Sequence, residues 1–121
     1  MELLKINADF TVCKLNSVEN VDFSREFIFL SKTDDEISLV CESDYLPTGA
    51  IEFESGWKAL KIAGTLDFGL IGIIAKISSL LAEADISIFV ISTYNTDYIL
   101  LKSLDFSKSI QLLESNGYVI I

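Results

Sequence analysis

With 121 residues, the chain has room for one domain or two small units and little space for a separate catalytic domain. Half of the residues are hydrophobic, which argues against disorder, and the net charge of −9 repels nucleic-acid phosphates and anionic membrane surfaces. The absence of histidine removes Ser-His-Asp and Cys-His nucleophile activation and the commonest zinc ligand, so an enzyme is not expected.

The first ten residues carry no basic start and apolar run of a signal peptide. Phe10 to Asn16 alternates as a strand, and 26–32 and 36–41 read as two more, joined by the polar turn Thr33-Asp34-Asp35. The carboxylates Asp34, Asp35 and Glu36 match no calcium loop and read as a solvated hairpin. Segments 17–25 and 42–46 have room for a turn or two of helix, Pro47-Thr48-Gly49 is a turn, and 51–54 is a weaker strand. Cys13 and Cys41 form no C-x-x-C motif and lie in apolar segments. They read as buried free thiols in a reducing compartment, with a disulfide the less favoured reading.

Trp57 to Ala63 alternates as a strand and leads into the loop Gly64 to Gly69. Leu70, Ile73, Ile74, Ile77, Leu80, Leu81 and Ala84 then recur at helical spacing on one face. Ile86 to Ile91 is apolar on both alternating faces, as in a central strand covered on both sides, and pairs in a hairpin with 98–102. Asp105 is placed to cap a helix bearing Phe106, Ile110 and Leu113, Asn116-Gly117 to stop it, and 118–121 to close as a strand. Lys76, Glu83 and Asp85 interrupt the most apolar stretch too soon for a membrane span of about 20 residues. A cytoplasmic protein with no membrane partner is expected.

Residues 57–121 thus spell β-α-β-β-α-β, the ferredoxin-like split unit, and 10–55 spell the same order with shortened helices. The expected class is α+β, with a degenerate unit over 1–55 and a full one over 56–121, although no residue-by-residue repeat is apparent. Two helices cover one sheet face, so the apolar 86–91 strand needs cover from the first half, from a second copy of the chain, or from both; a homodimer is expected.

Between strand and helix, the backbone amides of Phe68, Gly69 and Leu70 are placed to meet an anion such as a carboxylate, and Asp67 to meet an ammonium group. Ser92, Thr93 and Asn95, at the end of the neighbouring strand, bring hydroxyl and amide groups to the same end. The pattern suits a free amino acid or similar zwitterion. Equally open is the reading of Asp67 as a plain helix cap and of Ser92 and Thr93 as strand-end hydrogen bonders.

The runs Leu66 to Ile73 and Ile86 to Tyr98, with Gly56 to Leu60, resemble the ACT-domain superfamily, and in particular small tandem ACT-like proteins related to aspartate kinase regulatory domains. The resemblance implies side-by-side packing of units and amino-acid binding around Asp67 to Gly69 and Ser92 to Asn95; no cofactor is expected. The function expected is a non-catalytic sensor or regulatory module. The alternative is an interaction and oligomerisation module without a ligand.

Overall fold

The computed structural model describes residues 1–63 and 72–121. They divide into an N-terminal unit, Ala8–Trp57, and a C-terminal unit made of Lys58–Ile121 together with Met1–Asn7.

The N-terminal unit holds strands β2 (Phe10–Leu15), β3 (Ile28–Lys32), β4 (Ile37–Glu42) and the first part of β5 (Ala50–Ile62), in the antiparallel order β3-β4-β2-β5. Its core gathers Cys13, Leu15, Val21, Leu39 and Cys41. The segments 17–25 and 42–46 form turns rather than the short helices expected of them. They are tied down by polar contacts instead: the Tyr45 hydroxyl accepts the Asp22 amide at 2.7 Å and donates to the Asn20 carbonyl at 2.8 Å. Arg25 pairs with Asp44 and lies 5.2 Å from the centre of the Tyr45 ring.

The sequence reading split 51–54 from 57–63; the structure runs them together as β5. Gly56, at φ 88°, is what makes this work. Phe10 faces Trp57 and Val12 faces Glu54, so Thr11 alone opposes Ser55 and Gly56, a β-bulge that needs a residue tolerant of positive φ. Thr11 Oγ1 bonds the hydroxyls of Ser43 and Ser55 there, each at 2.8 Å.

The C-terminal unit contains the end of β5, helix α1 (Ile73–Glu83), strands β6 (Ile88–Ser92) and β7 (Asp97–Lys102), a 3-10 turn at Ser103–Asp105, helix α2 (Phe106–Ser115) and β8 (Val119–Ile120). This is the β-α-β-β-α-β order read from the sequence. The strand missed there is β1 (Glu2–Lys5), which pairs antiparallel with β5 and parallel with β8, giving the order β6-β7-β5-β1-β8 and a mixed sheet. That pairing is why Met1–Asn7 belongs with the C-terminal unit, not with residues 8–55.

Leu3, Leu60, Ile62, Ile77, Leu81, Ile86, Ile99, Leu101 and Leu113 form the core, with Ile73, Ile74, Leu80 and Ala84 packed against it; the helical spacing read from the sequence holds over the described part of α1. In α2 the residues turned inward are Ser109 and Leu113, with Ile110 only half-buried. Ser109 is satisfied by donating to the Asp105 carbonyl at 2.7 Å. Asp105 does precede α2, but its side chain makes no capping hydrogen bond.

Both helices end alike. Ile86 N–H returns to the Leu81 carbonyl past Asp85, and Tyr118 N–H to Leu113 past Gly117; Asp85 (φ 58°) and Gly117 (φ 91°) take the left-handed position that this C-terminal motif requires. The stop at Asn116-Gly117 is therefore as expected.

A correction concerns 86–91, of which β6 takes up Ile88 onward. The run is not a doubly covered central strand: among the described residues β6 pairs with β7 alone, and Ile88, Phe89, Val90 and Ile91 are all half-buried. A continuous apolar run does not distinguish a central strand from an edge strand whose cover is incomplete.

The structure also brings out a repeat. β3-turn-β4 and β6-turn-β7 superpose in sequence sixty residues apart, Ile28 with Ile88, Phe29 with Phe89 and Thr33 with Thr93. Their registers agree, Lys32 facing Ile37 as Ser92 faces Asp97. In each turn the threonine amide bonds the carbonyl three residues on, at 2.9 Å for Thr33 and 2.8 Å for Thr93.

Candidate functional site

Of the residues singled out in the sequence, Asp67, Phe68, Gly69 and Leu70 lie outside the described residues. Ser92, Thr93 and Asn95 are exposed at the β6–β7 turn. Ser92 ends β6 opposite Asp97, and Thr93 closes the turn twice over, its amide and its hydroxyl both donating to the Thr96 carbonyl, at 2.8 and 3.0 Å. Tyr94 projects from the tip, 83% exposed.

Sequence reasoning missed Thr96, the residue that fixes this tip in place. It is 4% exposed, and its hydroxyl donates to the Ile62 carbonyl at 2.9 Å. Ile62 is the last residue of β5, so the turn bearing Ser92, Thr93 and Asn95 is bonded to the strand end from which the segment containing Asp67 departs. Lys61 stands beside it, with Nζ 5.8 Å from the centre of the Tyr98 ring. The end of β5 is thus bonded to the turn through Thr96, and Lys61 lies over the Tyr98 ring that follows it.

The start of α1 differs from the sequence reading. Gly72, at φ 79°, precedes the helix and makes no side-chain cap. The helix start leaves the amides of Ile73, Ile74 and Ala75 without intrahelical acceptors. No acidic side chain occupies that first turn, which leaves the positive end of the helix dipole uncompensated by its own sequence.

A groove of about 500 Å³ lies along the exposed side of α1, lined by Gly72, Lys76, Ser79, Glu83, Asn116 and Tyr118 among others. A smaller one of about 340 Å³ shares Lys76, Asn116 and Tyr118 and adds Met1 and Gly117. Neither is lined by the turn residues Ser92 to Asn95. Among the described residues no cluster of metal-ligating side chains occurs, and no helix is long and apolar enough to cross a membrane.

A βαββαβ unit with an anchored turn at the end of its first strand defines the class: an α+β, ferredoxin-like regulatory fold of the ACT type. The family model for the ACT domain matches residues 52–115, and the chain belongs to that family. A protein from Agrobacterium tumefaciens is similar over nearly the whole length, with 30% identity, a TM-score of 0.85, and 99% of this chain and 91% of that one covered. A Vibrio cholerae protein of unknown function shares 20% identity, with a TM-score of 0.72 and coverages of 94% and 88%. The ligand-free regulatory subunit of aspartate kinase from Thermus thermophilus shares the fold at 7% identity, with a TM-score of 0.63 and coverages of 93% and 95%. No curated protein matches the sequence. Family and fold support a regulatory, ligand-binding module in general.

Proposed function

We propose that the chain is a non-catalytic sensor that binds a free amino acid, or a similar zwitterion, at the β6–β7 turn. Ser92, Thr93 and Asn95 would serve as polar partners, and Asp67 to Leu70 would supply the other side, with Asp67 taking the ammonium group. The observation that carries this reading is the buried Thr96–Ile62 hydrogen bond, which ties the turn to the strand end leading into 64–71. Asp67 follows Ile62 by five residues, a reach of at most about 18 Å. Ligand binding would act by population shift, stabilising the assembled state and changing what its surface can bind.

The test is a thermal-shift panel of the common amino acids. A ligand at 100 times its dissociation constant adds about 2.7 kcal/mol of stability. One or a few amino acids should raise the melting temperature, and Asn95→Ala should abolish the shift while leaving the unliganded melting temperature within about a degree, as suits an exposed turn residue. Silence across the whole panel removes the sensing role.

We read the assembly as a homodimer. The half-buried apolar residues of β6, which among the described residues pairs with β7 alone, favour this reading, since such an edge is a template for pairing with a second chain. Sedimentation at micromolar concentration should give twice the chain mass, and Val90→Lys should return it to the chain mass; a wild-type monomer overturns the assembly without touching the ligand site. If the panel is silent and the dimer persists, the alternative stands: an interaction module without a ligand. Residues 8–57 are read as a second, reduced ACT-like unit, supported by the repeated hairpin, and the protein as cytoplasmic.

A further inference from the structure

The chain has two cysteines, 28 positions apart, and the fold of the N-terminal unit brings them together. In the β2–β4 register Thr11 faces Cys41 and Cys13 faces Leu39, so the two thiols occupy diagonal positions on one face of neighbouring strands. Both are buried, at 4% and 0% exposure, in one cluster with Leu15, Val21 and Leu39. They are close enough to affect one another's ionisation. Burial raises the Cys13 thiol and its neighbour draws it partly back, while Cys41, buried and beside Cys13, is pushed up to about 12.

The C-terminal unit offers an internal comparison. The hairpin repeat matches Cys41 to Leu101, and alignment of β2 with the end of β5, Lys14 on Lys61, matches Cys13 to Leu60. Leu60 and Leu101 are both fully buried in one core. Where one unit places two leucines, the other places two thiols, although a single cysteine would serve packing as a small hydrophobe.

Their cover is a strap of turns rather than a helix. Tyr45 pins it through Asn20 and Asp22, and the Tyr45 carbonyl accepts the Cys41 thiol at 2.9 Å. Turn segments held by a few polar contacts are the sort of structure that opens locally without global unfolding.

We propose that Cys13 and Cys41 form a reversible intramolecular disulfide by exchange with a small-molecule disulfide of the glutathione type, admitted when the Tyr45 strap opens. One cysteine, having lost its proton, attacks a sulfur of the small disulfide, breaks its S–S bond and releases one thiolate. The second cysteine, losing its proton, attacks the protein-bound sulfur of the mixed disulfide and expels the other thiolate. Two protein thiols are oxidised, one disulfide is reduced to two thiols, and the two expelled thiolates take up the two protons. Diagonal strand neighbours have Cα atoms about 7–8 Å apart, just beyond the roughly 7 Å that a bridge spans without backbone movement. Closing it draws β2 and β4 together, and the resulting strain keeps it readily reduced.

The experiment uses the whole folded chain in oxidised glutathione at pH 8, quenched with acid and then alkylated in denaturant. The expected product has lost two hydrogens in mass and takes no alkyl group, and reduced glutathione restores both thiols. Cys13→Ser and Cys41→Ser should each abolish the two-hydrogen loss, and Tyr45→Phe, lacking the pinning hydroxyl, should reach the same product several-fold faster. Two alkylated cysteines at equilibrium, or a stable single glutathione adduct on the wild-type chain, would overturn the disulfide. An unchanged rate in Tyr45→Phe would overturn the role of the strap.

Discussion

Leu3→Ala is expected to destabilise the C-terminal unit by about 3 kcal/mol, within the range of about 2–5 for a fully buried leucine. The side chain is 0% exposed and belongs to the same core as Ile62, Ile77 and Leu113. Its strand neighbour on one side is Ile62 and on the other Ile120, so the cavity opens between two strands that are themselves held in place by β1. Backbone bonds from Lys5 to Ile121, Ile121 to Leu3, Val119 to Met1 and Ala63 to Glu2 limit how far the walls can collapse, which keeps the cost away from the low end. Leu4→Ala supplies the control. Leu4 points to the opposite face and is 37% exposed, so its truncation should cost about 1 kcal/mol or less. Urea unfolding followed by far-ultraviolet circular dichroism measures both; equal losses would mean that β1 does not present Leu3 to the core.

The second large effect falls on the turn anchor. Thr96→Val keeps the shape of the side chain and removes its donor, leaving the Ile62 carbonyl without the bond it receives at 2.9 Å in a buried setting. The expected cost is about 1–3 kcal/mol, the penalty of stranding a buried acceptor. Thr96→Ser, which keeps the hydroxyl, should recover most of it. The ligand response should be weakened in Thr96→Val beyond what lost stability explains, because the turn is no longer fixed to the end of β5. That separation is read by comparing ligand-induced shifts at a temperature where both variants are fully folded. A valine variant with unaltered stability would show that the bond contributes nothing and would loosen the geometric basis of the binding site.

The helices of the C-terminal unit were legible because their signals are local and repeated: Ile73, Ile77 and Leu81 at helical spacing, and Asn116-Gly117 as a stop. The hairpin over 88–102 was legible for the same reason, two apolar runs around a polar turn. β1 was not. Glu2 to Lys5 is four residues long, and nothing in adjacent Leu3 and Leu4 tells which faces inward until β5 and β8 flank it. Gly56 misled in a related way: a glycine between two apolar stretches reads as a break, and only the opposing strand reveals that it is a bulge within one strand. The turns over 17–25 replace helices because their stability comes from Tyr45, Arg25 and Asp44, contacts across about twenty positions of sequence that periodicity does not record. As to the site, hydroxyl and amide groups at 92–95 stood out by type, whereas Thr96 looked like one more polar turn residue. Its role depends on a carbonyl 34 residues away.

Threading β1 between β5 and β8 has a consequence for the order of events at the ribosome. Residues 8–57 form their strand pairings within one contiguous stretch and can close as soon as that stretch emerges. β1 meets its antiparallel partner at Leu60 to Ile62 and its parallel one only at Val119 and Ile120, so one edge of β1 stays open until β8 has been made. Pairings this distant in the chain are slow to form, and the late closure leaves a nascent intermediate whose apolar surface is a natural target for chaperones.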